Sequence, residues 1–494
     1  MQTTINNPSL YEINTRVWLR QFDTPNKRAT LYDIPDSYWC DLQSKGMHIV
    51  WLMGIWKINA DELHENDLSV ELRKGYDAAL PGWLDEDVIG SPYAVDEYVV
   101  SDDLGGRDGL AHVRKQLARF DLRLMLDFVP NHFSRATCLL GQFPGVFVQA
   151  DDETKQPDSF NPELFFEGGS KKLFAYGRDP FFAPWWDTVQ VNYGSSKARD
   201  YMTSVLQDIA TQCDGVRCDM AMLDMNEIFF QTWSSQIILD MPATEFWVEA
   251  ITTVKTHRPD FIFMAEAYWD KEWALQQQGF DYTYDKRLTD RLESGDLDGI
   301  RGHLHADIEY QYKSVRFLEN HDEPRAVSAF GREASMAAAV IASTLPGMHF
   351  YHDGQWQGKT TRLPVQLGRE PVEGIDDDIE KFYGELLASI HLPVFQGQWS
   401  LLAPRPAWPD NQTHASLLSW TWQDATTRAI VIVNMSGEKS QCRLNFSCQV
   451  NESEVLLNDV LNGTQYRRSS SEISGEGLYI ELGAWCSHIF LIES

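Results

Sequence analysis

The sequence has few cysteines and no pattern among them. Cys40, Cys138, Cys213, Cys218, Cys442, Cys448 and Cys486 are scattered and odd in number, with no C-x-x-C pair or Cys/His cluster. This usage offers no zinc-site spacing and fits a reducing compartment. Positive charge is also scarce. Lys and Arg number 42 against 72 Asp and Glu, a net charge of −30. That balance speaks against nucleic acid and anionic membrane as partners and reads as a solvating surface. No apolar run approaches the ~18 residues that would span a bilayer. The opening MQTTINNPSLYEIN has no basic segment followed by an apolar one, so no secretory leader is expected. A cytoplasmic protein is the expectation.

The 494 residues, 43% hydrophobic and 23% charged, provide a globular core with one or two appended domains. Aromatic residues are plentiful, including 17 Trp. Flat rings pack cores, and they also stack on the apolar faces of sugars.

β-rich runs alternate with amphipathic stretches, which predicts a parallel α/β core. The strand-like runs are Leu10–Leu19, His48–Trp56, Leu122–His132, Asp214–Met220, Asp260–Tyr268, Phe280–Asp285, Ser314–Asp322 and Gly347–Asp353. Eight strand–helix units predict a (β/α)₈ TIM barrel, with its active site at the C-terminal strand ends. The pattern breaks after the third run, in a Pro-, Gly- and Phe-rich stretch that reads as an inserted subdomain. After about Pro393 short strands separated by Asn, Ser and Gly turns predict a C-terminal antiparallel β domain. The expected domains are 1–132 with 191–393 for the barrel, 133–190 for the insertion and 394–494 for a β-sandwich.

Acids and histidines collect where the apolar runs stop. Asp127 and His132 flank the third, Arg217 and Asp219 end the fourth, Glu266 ends the fifth, and His321 and Asp322 end the seventh. One strand–helix unit fits between Asp219 and Glu266, and two fit between Glu266 and Asp322. All these side chains can therefore face one cleft. Arg217 and Asp219, two residues apart on a strand, share a face, and Cys218 between them points away to pack.

At these positions the sequence resembles the α-amylase family of glycoside hydrolases, family 13. DFVPNH (Asp127–His132), GVRCD (Gly215–Asp219), MAEAYW (Met264–Trp269) and FLENHD (Phe317–Asp322) match its four short motifs in order. GSPYAVDEY (Gly90–Tyr98) resembles the segment that supplies an aromatic platform, here Tyr93. The resemblance implies Asp219 as nucleophile, Glu266 as acid/base and Asp322 as a third acid gripping the sugar. It implies that Tyr93, His132, His321 and Arg217 surround the sugar and that Asp127 orients Arg217 and Tyr93. Trp269, three residues after Glu266, either lines the acceptor side of the cleft or packs in the core. Arg217 is expected to keep Asp219 ionised by lowering its pKa, while burial and nearby carboxylates raise that of Glu266.

Three positions in two stretches depart from the family. Met222 and Leu223 stand near the place of a Lys-His pair that many amylases use for substrate and calcium. Gln190, in TVQVNY (Thr188–Tyr193), takes the place of an Asp. Asn131, a calcium ligand in calcium-dependent relatives, is retained and is the weak metal candidate, with Asp187 or Asp158 as compensating acids. No cofactor is expected to be required. The expected activity is retaining hydrolysis of α-glucosidic bonds in short α-glucans or small α-glucosides. The alternatives are transfer or isomerisation through the same covalent intermediate, and a catalytically inactive sugar-binding barrel. The last usually goes with lost carboxylates, and all three acids are present.

Overall fold

The computed structural model describes residues 6–58, 70–151, 159–161, 172–235, 237, 241–446 and 453–493. Eight parallel strands close into a barrel: β1 (Ser9–Asn14), β2 (Ile49–Met53), β3 (Arg123–Phe128), β4 (Gly215–Cys218), β5 (Ile262–Ala265), β6 (Tyr282–Tyr284), β7 (Ser314–Arg316) and β8 (Met348–His352). Each pairs with its sequence neighbours, and β1 pairs with β8, Leu10 opposite Phe350.

Period-2 alternation sorts the strand residues. Leu10, Trp51, Met125, Met264, Val315 and Phe350 fill the inside of the barrel. Tyr11, Ile13, Val50, Leu52, Leu124 and Leu126 face outward against the helices. β2, with five apolar residues, is buried on both faces, as a central parallel strand requires. Gly347, at φ +120°, lets β8 approach β7; a Cβ there would lie 2.2 Å from the Ser314 carbonyl oxygen.

The strands are shorter than the apolar runs predict. β1 stops at Asn14, where the chain turns helical and the Arg16 guanidinium caps the Gly54 and Trp56 carbonyls. β7 stops at Arg316, six residues short of Asp322. The difference has one cause. Residues beyond a strand end fold over the barrel mouth and stay buried there, so they keep an apolar, strand-like composition without ladder partners.

Between β3 and the helix Ser196–Gln212 lie small antiparallel pairings: His132–Ser134 with Thr188–Gln190, and Gln149–Asp151, Lys172–Ala175 and Phe160–Asn161 together. At the C-terminal end a six-stranded antiparallel sheet faces a three-stranded one across a core of Leu417, Ile430, Ile432, Leu444, Leu478 and Ile480. The other face of the larger sheet carries Trp420, Trp422, Val431 and Val433, which join the main core. The Trp422 indole donates to the Thr344 carbonyl at 2.7 Å. This contact explains why the helix Arg332–Thr344 is Ala-rich. It is buried nearly all round between barrel and sheet, where larger side chains would not fit.

Candidate active site

The barrel mouth holds a buried cluster of charge centred on Arg217. Strand register puts Arg217 between Asp127 of β3 and Met264 of β5. Its side chain is wholly buried. Nη1 lies 2.7 Å from Asp219 Oδ1, and Nη2 lies 2.7 Å from Glu266 Oε2. Trp51, Tyr93 and Tyr284 surround the guanidinium with ring centroids at 5.3, 5.3 and 5.9 Å. One cation thus ties the two carboxyls together.

Glu266 receives two hydrogen bonds, from the Met220 N–H at 2.7 Å and from the Tyr268 hydroxyl at 2.9 Å. Met220 follows Asp219 in the left-handed region, at φ 42°, and this turn aims its N–H at Glu266. Burial pushes the Glu266 carboxyl up to about 7; Arg217 works against this, and Asp219 and Asp322 reinforce it. Asp219 corrects the sequence expectation. Arg217 does lower its pKa, but burial outweighs the guanidinium and the net shift is upward.

The remaining expected residues divide into several groups. His321 and Tyr93 are brought together: the Tyr93 hydroxyl lies 2.7 Å from His321 Nε2, and the rings stack at 5.1 Å. Asp322 Oδ2 lies 3.1 Å from the same nitrogen, with its side chain 47% exposed to the cleft. The Asn320 side chain accepts the N–H groups of Asp322 and Glu323, which holds this loop without a ladder. Burial works against ionising Asp322, but His321 and Arg217 hold its carboxyl well below the usual range.

Asp127 sits behind this front. Oδ2 accepts the Gly54 N–H at 3.0 Å, and Oδ1 is 3.7 Å from Arg217 Nη1. The Tyr93 hydroxyl goes to His321, not to Asp127, which corrects the expected pairing. At 2% exposure Asp127 supports Arg217 from below rather than facing the cleft. His132 begins the short pairing with Thr188–Gln190, and its ring lies 5.1 Å from Trp185. Burial lowers it to about 4, so the ring is neutral. Trp269 is half-buried at φ 59° and meets Phe181 edge-to-face at 4.8 Å. Cys218 faces away into the outer core, where burial pushes its thiol well up.

Sequence reasoning missed Glu12, Tyr268 and Tyr284. Glu12 Oε1 lies 2.5 Å from His321 Nδ1. A signal was available: Glu12 is a carboxylate inside an otherwise apolar strand, on the inward parity of Leu10.

The calcium candidate fails on its donor set. Gln190 Nε2 donates to the Asn131 side-chain oxygen and to its carbonyl, both at 2.8 Å. An amide N–H₂ therefore stands where a carboxylate ligand would be needed. Asp158 lies outside the described residues, and the described residues contain no group of three or more His, Cys, Asp or Glu placed to hold a metal. The residues at Asn131 do not fit calcium. Chelation with EDTA is expected to leave melting temperature and activity unchanged; a drop reversed by added calcium would overturn this.

No family model matches the sequence. "Alpha-amylase 3" of Dictyoglomus thermophilum is 22% identical over 311 residues, covering 58% of this chain and 57% of that protein. "Alpha-amylase MalA" of Haloarcula japonica is 23% identical over 307 residues, covering 60% of this chain and 40% of that protein. The matched region thus spans about half the length of these curated relatives. The crystal structure of the maltogenic α-amylase AmyB from Thermotoga neapolitana superposes over 99% of both chains with a TM-score of 0.71 at 19% identity. The chain is similar in sequence to these α-amylases and shares the fold of the solved one. Its closed eight-stranded barrel and C-terminal antiparallel sheets are the architecture shared with these α-amylase-family neighbours.

Proposed function

We propose that this protein is a retaining enzyme of the α-amylase family that cleaves α-glucosidic bonds in short α-glucans or small α-glucosides. The observation that carries the reading is the single guanidinium in contact with both Asp219 and Glu266. It supports a close carboxyl pair, nearer the ~5–5.5 Å spacing of double displacement than the wider gap that admits a water between them. The Asp219 carboxylate attacks the anomeric carbon as the bond to the leaving oxygen breaks, and that oxygen takes the Glu266 proton. Glu266, now a carboxylate, removes a proton from water, whose oxygen displaces Asp219 and regenerates both groups. Asp322 accepts from hydroxyls of the distorted sugar, and His132 and His321 face the same sugar.

One observation favours a transfer reading alongside hydrolysis. Phe181 and Phe182 are 62% and 69% exposed, and Phe181 touches Trp269, three residues beyond Glu266. Exposed rings beside the acid/base make a platform on which an acceptor sugar can stack and compete with water. Product analysis on maltodextrins, with and without added glucose or maltose, tests the assignment. Glucose or maltose release as the main outcome supports hydrolysis; longer or rearranged glucosides with negligible release would sink it. Trp269→Ala is expected to lower the transfer-to-hydrolysis ratio several-fold while changing hydrolysis of small substrates less. An unchanged ratio removes Trp269 from the acceptor side.

A further inference from the structure

Glu12 is a fully buried carboxylate in the barrel interior, and the described residues satisfy it through one histidine. Its Oε1 lies 2.5 Å from His321 Nδ1. Its Oε2 has no hydrogen-bond donor among the described residues, with His352 Nε2 3.9 Å away. On the far side of the imidazole, Nε2 lies 2.7 Å from the Tyr93 hydroxyl and 3.1 Å from Asp322 Oδ2. His321 is therefore strung between two carboxylates, one sealed inside the barrel and one facing the cleft.

The tautomers decide what this arrangement means. A neutral ring protonated at Nδ1 turns a lone pair toward Asp322. A neutral ring protonated at Nε2 turns a lone pair toward Glu12, at 2.5 Å. The second sets two buried acceptors against each other; the first lets the Tyr93 hydroxyl donate to Nε2 at 2.7 Å but leaves Asp322, at 3.1 Å, without a donor from the ring. Only the doubly protonated ring gives each carboxylate a donor. The geometry points to Glu12 as a positioning residue that keeps His321 an imidazolium and, through it, fixes the orientation and charge of Asp322 over the sugar. This rests on the reading of Asp322 as a sugar-gripping acid.

The groups facing His321 agree on balance. Glu12 on β1, Asp127 on β3 and Asp322 beside the ring favour its charge. Arg217 on β4 opposes it, and so does His352 on β8 where protonated. Arg217 is already engaged by Asp219 and Glu266, and Arg325, bound to Glu319, donates to His352 Nδ1. The positive charge of Arg362 also acts on Asp322. Trp51 packs edge-on to the imidazole at 5.6 Å and shields it. The two carboxylates are the charges in direct contact with the ring.

Histidine side-chain NMR on the full chain tests this without relying on activity. In the unaltered protein one imidazole, identified by its loss in His321→Gln, is expected to stay doubly protonated well above the ordinary imidazole midpoint of about 6.5. In Glu12→Gln its titration should move down by at least one pH unit. Turnover adds a second readout. The ratio of wild-type to Glu12→Gln kcat should rise about tenfold per pH unit above the variant's new midpoint, with KM changing less. Comparison at matched pH cancels the Glu266 ionisation common to both enzymes. A His321 ring that titrates near 6.5 in the unaltered protein, or that titrates identically in Glu12→Gln, overturns the inference. Because the first of these measurements needs no variant at Glu12, misfolding of Glu12→Gln cannot shelter the idea. An inactive but correctly titrating protein would count against the proposed function and leave the role of Glu12 standing.

Discussion

Asp219→Asn is expected to lower kcat by roughly 10⁴-fold or more while leaving sugar binding largely intact. Losing one member of a catalytic unit that acts together costs on this scale, because the remaining groups cannot complete the covalent step. The amide is nearly isosteric, so the fold has no steric reason to change. It can still accept from Arg217 Nη1, which now lies 2.7 Å from Oδ1. The lost charge removes the nucleophile. Kd for maltotriose, measured by calorimetry on the variant, should stay within a few-fold of the wild-type KM. Retained turnover would exclude Asp219 as nucleophile. Wild-type protein that binds sugar but never turns it over would instead favour the inactive-barrel reading.

The same residue shows what the sequence could and could not display. Asp219, Glu266 and Arg217 were legible because barrel strands are short and parallel, so the residue after each apolar run falls at the mouth. The face shared by Arg217 and Asp219 followed from alternation alone, and the 2.7 Å contact agrees with it. The sign of the Asp219 shift was not legible. It depends on how much protein covers the carboxyl, and burial at 7% exposure outweighs even a touching guanidinium. Strand ends were overextended for a related reason. Phe317–His321 reads as strand because it is buried, yet Asn320 side-chain hydrogen bonds hold this segment in place of a ladder. Glu12 escaped because nothing in the local sequence links β1 to His321. The two meet only when the barrel closes and β1 pairs with β8. The Gln190 substitution was visible, but the hydrogen bonds that commit it to Asn131 depend on His132–Ser134 pairing with Thr188–Gln190.

Glu266→Gln should separate proton donation from the rest of the reaction. General acid assistance contributes on the order of 10²–10⁴-fold, so hydrolysis of maltodextrins should fall by that factor. Aryl α-glucosides with strongly acidic phenols need little proton at the leaving oxygen, so their first step should fall far less. An equal loss on both substrates would mean that Glu266 does not donate the proton. The wild-type kcat/KM should decline above about pH 7, where the buried carboxyl loses its proton, and the variant should show no such decline on the aryl substrate. Stability carries the matching sign. The folded pKa of about 7 lies above the ordinary 4.5, so as pH rises the unfolded chain releases this proton first. Folded wild-type protein therefore loses up to roughly 3 kcal/mol across that interval. Glutamine carries no such proton. The melting temperature of Glu266→Gln relative to wild type should thus be higher at pH 8 than at pH 4.5. A difference that is flat, or that runs the other way, would mean Glu266 is ionised in the resting enzyme and must take a proton before it can give one.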